Sequence, residues 1–447
     1  MSFCSAVLAE QLKTLEQTAG AAERWVVAFS GGLDSMVLLH ALSLLAANSE
    51  RPNGIPLTAI HINHQLHSNA AAWSAQCASL AKALGVECRS IDVSIDPKAA
   101  NGLEAAAREA RYAALRTQIR SGDWLFSAHH RDDQAETLLL NLVRGSGPAG
   151  IAGIGAALAL GDAWLVRPLL NIDQSALQDY ASAHALQWID DPSNTDRRFD
   201  RNFLRHEIVP VLRSRWPDIA TRLQRSAGHA GEAAQLLSEL GRIDLDALGA
   251  DSRRVPIDGL VTLSSARQRN LIRCALRDRG LSMPSAVVLN RVLSEVIPAR
   301  EDAQPLVEWP GGAVRRYRDH LYLLTDKLAP RIEESAFSAD AAILGPGLGR
   351  LALERNAELG LSDAAIERGL RVCPRLGGER FTPMGQRHTK KLKKLLQDEG
   401  VVPWMRDRLP LIYAGNDLVA VGDLWLSNSA ASRPGVAVRW SGRPALH

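Results

Sequence analysis

The N-terminal part of the chain alternates short segments typical of β-strands with longer segments typical of α-helices, and this alternation constrains the fold most. The apolar segments expected to form strands are 25–29, 57–63, 86–93, 124–128 and 164–169. The Ala- and Leu-rich segments expected to form helices are 36–46, 70–84, 104–119 and 135–143. Such alternation is typical of a parallel sheet with helices on both faces. We therefore predict an α/β fold with a doubly wound parallel sheet, which binds ligands at the carboxyl ends of its strands.

The alternation stops after about residue 210, so the rest of the chain is expected to fold differently. Segments 216–240 and 264–296 have helical spacing, and segment 306–324 has the pattern of strands around a turn. A chain of 447 residues is also longer than one hydrophobic core usually supports. The predicted domains are the α/β domain at 1–215, an α-rich middle domain at 216–328, a linker at 329–370 and a small α+β domain at 371–447.

The composition favours a folded, cytoplasmic protein without membrane segments. Hydrophobic residues make up 46% of the chain and charged residues 23%, which is ordinary for a globular protein. Residues 1–17 lack the basic start and apolar run of a secretion signal, and no apolar run is long enough to span a bilayer. The five cysteines form no C-x-x-C pair, so neither a disulfide framework nor a thiolate metal site is predicted.

The C-terminal end of the chain is basic, although the net charge of the whole chain is only +3. Residues 371–447 contain 13 Lys and Arg against 6 Asp and Glu. Within this segment, Lys390, Lys391, Lys393 and Lys394 surround the leucines of a predicted amphipathic helix. One interpretation is a solvated basic face over a buried leucine stripe. We favour contact with a polyanionic partner, because cations that neutralise phosphates release condensed counterions.

Residues 30–35, Ser-Gly-Gly-Leu-Asp-Ser, follow the first predicted strand and begin the next predicted helix. Glycine lets the backbone approach a ligand closely, and a helix N-terminus presents unpaired N–H groups to an anion. Ser30 and Ser35 add hydroxyl donors, and Asp34 is suited to hold Mg²⁺ against phosphate oxygens. The residues Ser30, Gly31, Gly32, Leu33, Asp34 and Ser35 are therefore predicted to bind a pyrophosphate group.

Further ionisable residues follow the other predicted strands or lie on the facing helices. They are His61, His64, Glu104, Arg108, Arg111, His129, His130, Asp132, Asp133 and Glu136. Any one of these groups could be an ordinary helix-capping or strand-end residue. Packing requirements alone do not collect ionisable side chains at one edge of a sheet, so their common position predicts an active site there.

These segments resemble a known family. The run SGGLDS at 30–35 resembles the pyrophosphate loop of the N-type, or PP-loop, ATP pyrophosphatases. The runs HINH at 61–64, AHHRDDQAET at 128–137, RGSG at 144–147, RPL at 167–169, DPSN at 191–194 and RNFLR at 201–205 occur in the order seen in tRNA(Ile)-lysidine synthetases. Residues 375–381, 390–397 and 403–404 resemble the last domain of that family. His67 departs from the arginine that the family often has, which leaves the role of that position open.

The resemblance implies an enzyme that uses ATP, Mg²⁺ and free L-lysine to convert the wobble cytidine of the CAU-anticodon isoleucine tRNA to lysidine. The catalytic residues that it implies are Asp133, His129 and Arg111, with Asp34 and Asp133 as metal ligands. Glu104 and Glu136 are the alternative binding groups for lysine. Arg201, Asn202 and Arg205 share one helical face and are expected to contact tRNA, as are the four C-terminal lysines. The sequence leaves the oligomeric state open, including a homodimer.

Two other functions remain alternatives at this point. A tRNA thiolase of the same superfamily also adenylates a base, but it needs a reactive or cluster-binding cysteine, and no cysteine lies in these motifs. A non-catalytic tRNA-binding protein would have no need of the intact SGGLDS and HHRDD runs. Release of AMP that depends on both lysine and tRNA would distinguish the enzyme from both alternatives.

Overall fold

A computed structural model of the chain describes residues 3–48, 54–65, 69–95, 103–300, 303–337 and 341–446, without the side chains of residues 103–105, 193 and 194. The chain divides into two compact units, Met1–Leu236 and Leu237–His447. We number helices and strands in chain order and describe each unit separately. Among the described residues, no helix combines the length and the apolar character needed to cross a lipid bilayer.

The first unit consists of a mixed sheet with helices on both faces. Its strands are β1 (Arg24–Ala28), β2 (Leu57–Asn63), β3 (Glu87–Asp92), β4 (Asp123–Phe126), β5 (Ala157–Leu160) and β6 (Ala163–Val166). Its helices are α1 (Ser5–Ala19), α2 (Leu33–Ala47), α3 (Ala70–Ala83), α4 (Leu103–Arg116), α5 (Arg131–Val143), α6 (Pro148–Ile151), α7 (Gln174–Ala183), α8 (Asp200–Phe203) and α9 (Val209–Arg215). A π-helical turn, Leu204–Ile208, joins α8 to α9, and α10 (Ile219–Ala247) begins in this unit.

The strands lie in the order β3-β2-β1-β4-β6-β5, and every neighbouring pair except β6 and β5 is parallel. The central strands β1 and β4 consist largely of buried apolar residues, as expected where helices cover both faces. This arrangement confirms the predicted doubly wound α/β fold. The antiparallel edge strand β5 was not predicted, because its short Ala-Leu-Ala-Leu segment is half-exposed and has no distinctive period.

The second unit contains shorter helices and antiparallel strands. Its helices after α10 are α11 (Ile257–Thr262), α12 (Ser265–Asp278), α13 (Ala286–Arg291), α14 (Asp363–Glu367), α15 (Leu392–Asp398) and α16 (Pro403–Arg406). Its first strands are β7 (Arg254–Pro256), β8 (Leu306–Trp309), β9 (Gly312–Tyr317), β10 (His320–Leu324), β11 (Ser335–Phe337), β12 (Ala342–Ile343), β13 (Arg350–Ala357) and β14 (Gly360–Leu361). The remaining strands are β15 (Leu370–Cys373), β16 (Arg380–Phe381), β17 (Lys390–Lys391), β18 (Leu411–Ala414), β19 (Asp417–Val421), β20 (Trp425–Leu426), β21 (Ala431–Ser432) and β22 (Gly435–Ser441).

The middle part of the chain has the expected helices and strands, with one interruption. Strands β8, β9 and β10 form successive antiparallel hairpins in the predicted segment 306–324. The predicted helical segment 264–296 is divided, because α12 ends at Asp278 and α13 begins only after Pro284. Proline restricts the residue before it to extended conformations, which prevents one continuous helix here.

The described part of segment 329–370 differs from the expected linker, because it contains strands of the C-terminal sheets. Strand β13 pairs antiparallel with β22, and β11 pairs with β15. These partners are distant in sequence or very short, so no local pattern in the segment reveals the pairing. The predicted basic helix also begins later than expected, since Lys390 and Lys391 form β17 and the helix α15 starts at Leu392.

Candidate active site

Four sequence motifs follow parallel strands and therefore lie at one edge of the sheet. The loop 30–35 follows β1, His64 follows β2, His129 follows β4 and Arg167 follows β6. Since β2, β1, β4 and β6 are neighbours in this order, their carboxyl ends form one continuous edge. This is the edge where sheets of this class bind ligands.

The loop after β1 is held by its own hydroxyl groups. The Ser35 hydroxyl donates to the carbonyl oxygen of Gly32 at 2.9 Å and lies 3.1 Å from the Ser30 hydroxyl. Gly31 has a φ of +80°, and a Cβ atom there would lie 2.7 Å from both Cys77 Sγ and Ile189 Cδ1. Only glycine fits this position without moving its neighbours.

The N-terminus of α2 opens onto this loop. Gly32 is the N-cap, and no side chain of the described residues caps the helix there. The first N–H groups of a helix lack partners within the helix, and the helix dipole favours an anion beside them. The loop and the helix end together therefore form a suitable site for the phosphates of a nucleotide.

Asp34 and Asp133 approach the same histidine from different helices. Oδ2 of each carboxylate lies 3.5 Å from Nε2 of His130, the residue that caps α5. Burial by itself would lower the pKa of His130, but the carboxylates of Asp34, Asp133 and Asp132 outweigh burial and raise this pKa. Burial would likewise raise the pKa of Asp133, but the charges of His130 and Arg201 lower it to about 2. The sequence placed His130 at this edge but assigned it no catalytic or binding role.

The two aspartates fit a Mg²⁺ ion that is shared with phosphate. Oδ1 of Asp34 is buried and has no hydrogen-bond partner among the described residues. No three His, Cys, Asp or Glu side chains of the described chain cluster as a metal site. Mg²⁺ commonly binds through one or two carboxylates together with substrate phosphates and water. The donor set is therefore consistent with Mg²⁺ that arrives with the nucleotide.

Arg201 and Arg205, which the sequence assigns to tRNA contact, hold Asp133 and Glu136 in ion pairs. Arg201 donates to Glu136 Oε2 at 2.8 Å and to Asp133 Oδ1 at 2.9 Å. Arg205 donates to Glu136 Oε1 at 2.6 Å and to Asp133 Oδ1 at 3.1 Å. Asn202, on the same helix, instead donates to the carbonyl oxygen of Asp196.

Glu136 is only 2% exposed, and both of its carboxylate oxygens accept hydrogen bonds from these arginines. The side chain of Glu104, the other candidate for lysine binding, lies outside the described residues. His67 also lies outside them. A cation that binds Glu136 would have to displace at least one guanidinium group.

His129 and Arg111 lie close to this group. Nδ1 of His129 is 2.7 Å from the Ser127 hydroxyl, and burial lowers the pKa of His129 to about 3. His129 is therefore a neutral hydrogen-bonding group at pH 7. Nε and Nη2 of Arg111 both lie 3.3 Å from Nε2 of His64, and burial lowers the pKa of His64 to about 4. A neutral His64 can accept a hydrogen bond from the guanidinium group.

The C-terminal lysines belong to the second unit. Lys390, Lys391, Lys393 and Lys394 are all exposed. The leucines around them are buried, as the amphipathic pattern predicts, and Lys394 forms an ion pair with Asp398 at 3.0 Å. Exposure on the protein surface is compatible with either of the two interpretations of these lysines.

Three family models match the chain. Residues 5–212 match a PP-loop domain. Residues 256–322 match the TilS substrate binding domain. Residues 370–440 match the TilS substrate C-terminal domain.

Curated relatives match over most of the chain. A tRNA(Ile)-lysidine synthase from Alkalilimnicola ehrlichii is 42% identical over 419 residues, which cover 93% of this chain and 93% of that protein. A tRNA(Ile)-lysidine synthase from Methylococcus capsulatus is 38% identical over 423 residues, 93% of this chain and 95% of that protein. Among solved structures, the U34-tRNA thiolase NcsA from Methanococcus maripaludis has a TM-score of 0.41 at 17% identity, covering 50% of this chain and 79% of that chain.

Proposed function

This chain belongs to the tRNA(Ile)-lysidine synthase family, and we propose that it joins free lysine to carbon 2 of the wobble cytidine in the CAU-anticodon isoleucine tRNA. The observation that carries the proposal is the convergence of Asp34, in the phosphate loop, and Asp133, on α5, at His130. This geometry brings a nucleotide site and an acidic group together at the edge of the sheet.

The first step activates the base. The oxygen on carbon 2 of cytidine attacks the α-phosphorus of ATP, and the bond to the β-phosphate breaks to release pyrophosphate. The N-terminus of α2 and the loop 30–35 bind the phosphates, and neutral His129 donates a hydrogen bond to an α-phosphate oxygen. When Mg²⁺ is bound at Asp34 and Asp133, it offsets negative charge on the phosphate oxygens.

The second step forms the carbon–nitrogen bond. An amino group of lysine attacks carbon 2, and AMP leaves with the oxygen that it activated. The attacking nitrogen must lose a proton, and Glu104 and Glu136 are the alternative carboxylates for the ammonium group, of which Glu136 must first release a contact with Arg201 or Arg205. Arg111 lies at the same edge and is suited to bind the adenylated base or its phosphate through its planar fork.

tRNA binding is assigned to two groups of residues, most of them cations. Arg201, Asn202 and Arg205 lie at the active-site edge, and contact of Arg201 or Arg205 with tRNA would replace part of their ion pairs with Asp133 and Glu136. The exposed lysines of β17 and α15 supply a second contact in the domain that matches the TilS substrate C-terminal model. Contacts of this kind hold the RNA in register without reading its sequence.

The thiolase alternative lacks a suitable thiol in the described site. Cys77 lies next to the phosphate loop, with Sγ 3.4 Å from Nδ1 of His61. It is fully buried, and burial raises its pKa to about 12. A buried thiol that stays protonated is a poor carrier of sulfur.

The test is transfer of labelled lysine. The purified protein is incubated with ATP, Mg²⁺, radiolabelled lysine and transcripts of the isoleucine and methionine tRNAs that share the CAU anticodon. We expect label in the isoleucine transcript and release of AMP that requires both lysine and RNA. Incorporation of sulfur instead of lysine, or RNA binding without AMP release, would show that the proposal is wrong.

A further inference from the structure

Three arginines of the first unit surround Tyr112 at the carboxyl edge of the sheet. Cζ of Arg108 lies 5.2 Å from the centre of the Tyr112 ring. Arg167 lies near Tyr112, which partly offsets the lowering of the Arg167 pKa by burial. Arg111 precedes Tyr112 on α4 and contacts His64. Among the described residues, none of these three guanidinium groups forms a salt bridge with a carboxylate. Together they form a concentration of positive charge, which we call the arginine cluster.

Arg167 is the most buried member of the arginine cluster. It is 6% exposed, and its Nη1 donates to the carbonyl oxygen of Gly155 at 2.6 Å. Its Nε has no hydrogen-bond partner among the described residues. A buried charge without a counter-ion costs several kcal/mol, so proteins normally pair such a group. The charge of Arg167 is therefore suited to interaction with an anion that is not part of the chain.

The contrast with the neighbouring arginines supports this interpretation. Arg201 and Arg205 are also partly buried, but each is neutralised by Asp133 and Glu136 at 2.6 to 3.1 Å. Among the described residues around the site, the guanidinium groups of the arginine cluster are thus the ones without a carboxylate partner. An anionic group of a substrate is expected to bind beside that cluster.

The position of Arg167 restricts the kind of anion. Residue 167 follows β6 and His129 follows β4, and these strands are parallel neighbours with Phe126 opposite Val166. The arginine cluster therefore adjoins His129, whereas the nucleotide phosphates belong to the loop after β1. Exposed Arg108 and Arg111 are within reach of an RNA phosphate, but a group that meets buried Arg167 must be small.

We infer that Arg167, Tyr112 and Arg108 form an oxyanion subsite, separate from the phosphate loop, that binds the carboxylate of the incoming lysine. The inference rests on the proposed function and assigns a role to the RPL run at 167–169. A guanidinium fork matches a carboxylate in shape and charge. Holding the carboxylate fixes the far end of the amino acid, so that its amino group is directed towards the adenylated base.

The test compares lysine with 1,5-diaminopentane, which has the same carbon chain and both amino groups but no carboxylate. Transfer to tRNA is measured at saturating ATP and RNA for the wild type and for Arg167→Met. We expect half-saturation of the wild type to need about 10 to 100 times more diamine than lysine, the usual effect of losing a charge-assisted hydrogen bond. In Arg167→Met, the lysine concentration for half-saturation should rise by about the same factor. The diamine concentration for half-saturation should stay constant.

Further variants separate binding from folding. Tyr112→Phe removes the hydroxyl group near Arg167, and we expect a smaller rise of the half-saturation concentration that is again specific to lysine. Arg167→Lys keeps the charge without the fork and should lie between the wild type and Arg167→Met. Arg116→Met changes an exposed arginine of the same helix and should leave both amines unaffected. These milder variants test the inference even where Arg167→Met unfolds.

Two results would overturn the inference. One is an equal change of the half-saturation concentrations for lysine and for the diamine in the Arg167 variants. The other is a rise of the RNA concentration for half-saturation, while the ratio of the half-saturation concentrations for lysine and diamine stays unchanged. That result would assign the arginine cluster to an RNA phosphate. Both outcomes differ from a failure of the proposed function, in which the wild-type protein itself transfers no lysine.

Discussion

Asp34 and Asp133 each direct one carboxylate oxygen to Nε2 of His130, at a distance of 3.5 Å. The two residues lie in the first turns of two different helices, α2 and α5. The parallel order of the sheet, with β1 beside β4, brings these two helix ends together. The proximity of the carboxylates therefore depends on the fold and not on their spacing in sequence.

Asp133→Asn is expected to lower the rate of lysine transfer by at least about 100-fold, because an amide neither binds Mg²⁺ as a carboxylate does nor balances the charges of Arg201 and Arg205. The rate is measured with saturating ATP, lysine and tRNA. Asp132→Asn is the matched control, because Asp132 is also buried on α5 but pairs with Arg213. Near-normal transfer by a folded Asp133→Asn protein would contradict the assignment.

Asp34→Asn is expected to raise the Mg²⁺ concentration for half-maximal ATP use by about tenfold or more, since it removes one of the two carboxylates proposed to bind the ion. Pyrophosphate release is measured across a Mg²⁺ titration in the presence of tRNA. The affinity for tRNA should hardly change, because the RNA contacts are assigned to other residues. An unaltered Mg²⁺ dependence would exclude Asp34 as a ligand.

Gly31→Ala is expected to lower the free energy of unfolding by about 2 to 4 kcal/mol, from left-handed strain and from contact with Cys77 and Ile189. Gly32→Ala is the control, because its φ is −73° and the nearest atom to an added Cβ is 3.6 Å away. Gly32→Ala should lower the free energy of unfolding by no more than about 1 kcal/mol. Urea unfolding without nucleotide measures both. Equal decreases in the free energy of unfolding for the two variants would mean that the loop tolerates a side chain at either position.

His64 is expected to make stability depend on pH. Its pKa in the folded protein is about 4, below the ordinary value of 6.5, so the unfolded chain binds more protons between these values. The free energy of unfolding should therefore fall as the pH decreases from about 6.5 towards 4. His64→Gln should reduce this dependence, whereas the exposed His229→Gln should retain it. Unfolding by urea at several pH values provides the comparison.

Replacing Lys390, Lys391 and Lys393 by Gln is expected to raise the Michaelis constant for tRNA and to weaken its dependence on salt. Each lost phosphate contact should remove about 0.7 to 0.9 from the slope of log affinity against log salt. The Michaelis constant for ATP should stay constant.

The control for this variant is the triple change of exposed Lys13, Lys82 and Lys327 to Gln, of which Lys13 pairs with Glu10. Lys394 is left unchanged in both proteins because it pairs with Asp398. Parallel salt dependences for the wild type and the Lys390, Lys391 and Lys393 variant would mean that these lysines only solvate the surface.

Local sequence patterns predicted the central sheet well, because its strands are continuous apolar runs between amphipathic helices. The buried run Asp123–Phe126 and the alternating segments around it can be predicted from the local sequence pattern alone. The C-terminal sheets were harder to predict. Strand β13 is half-exposed and finds its partner β22 more than seventy residues later, between Arg350 and Ser441 for example. Such pairing depends on tertiary packing, which a local period does not encode.

The site shows the same division. The loop 30–35 could be located from the sequence, because its glycines and hydroxyl groups form a recognisable pattern within six consecutive residues. The partners of Glu136 could not, since Arg201 and Arg205 lie 65 and 69 residues further along the chain. The spacing of these two arginines placed them on one helical face, but it did not show that this face contacts Glu136. Sequence spacing shows which side chains act together and leaves open what they contact.

The phosphate loop has a consequence for the kinetics of nucleotide binding. The backbone N–H of Ile189 donates to the carbonyl oxygen of Gly31 at 2.9 Å, and the hydroxyls of Ser30 and Ser35 link the two ends of the loop. A loop that is already ordered in this way loses little conformational entropy when a ligand arrives. Association of ATP should therefore proceed in a single kinetic phase whose rate rises linearly with nucleotide concentration, without a slower rearrangement of the loop.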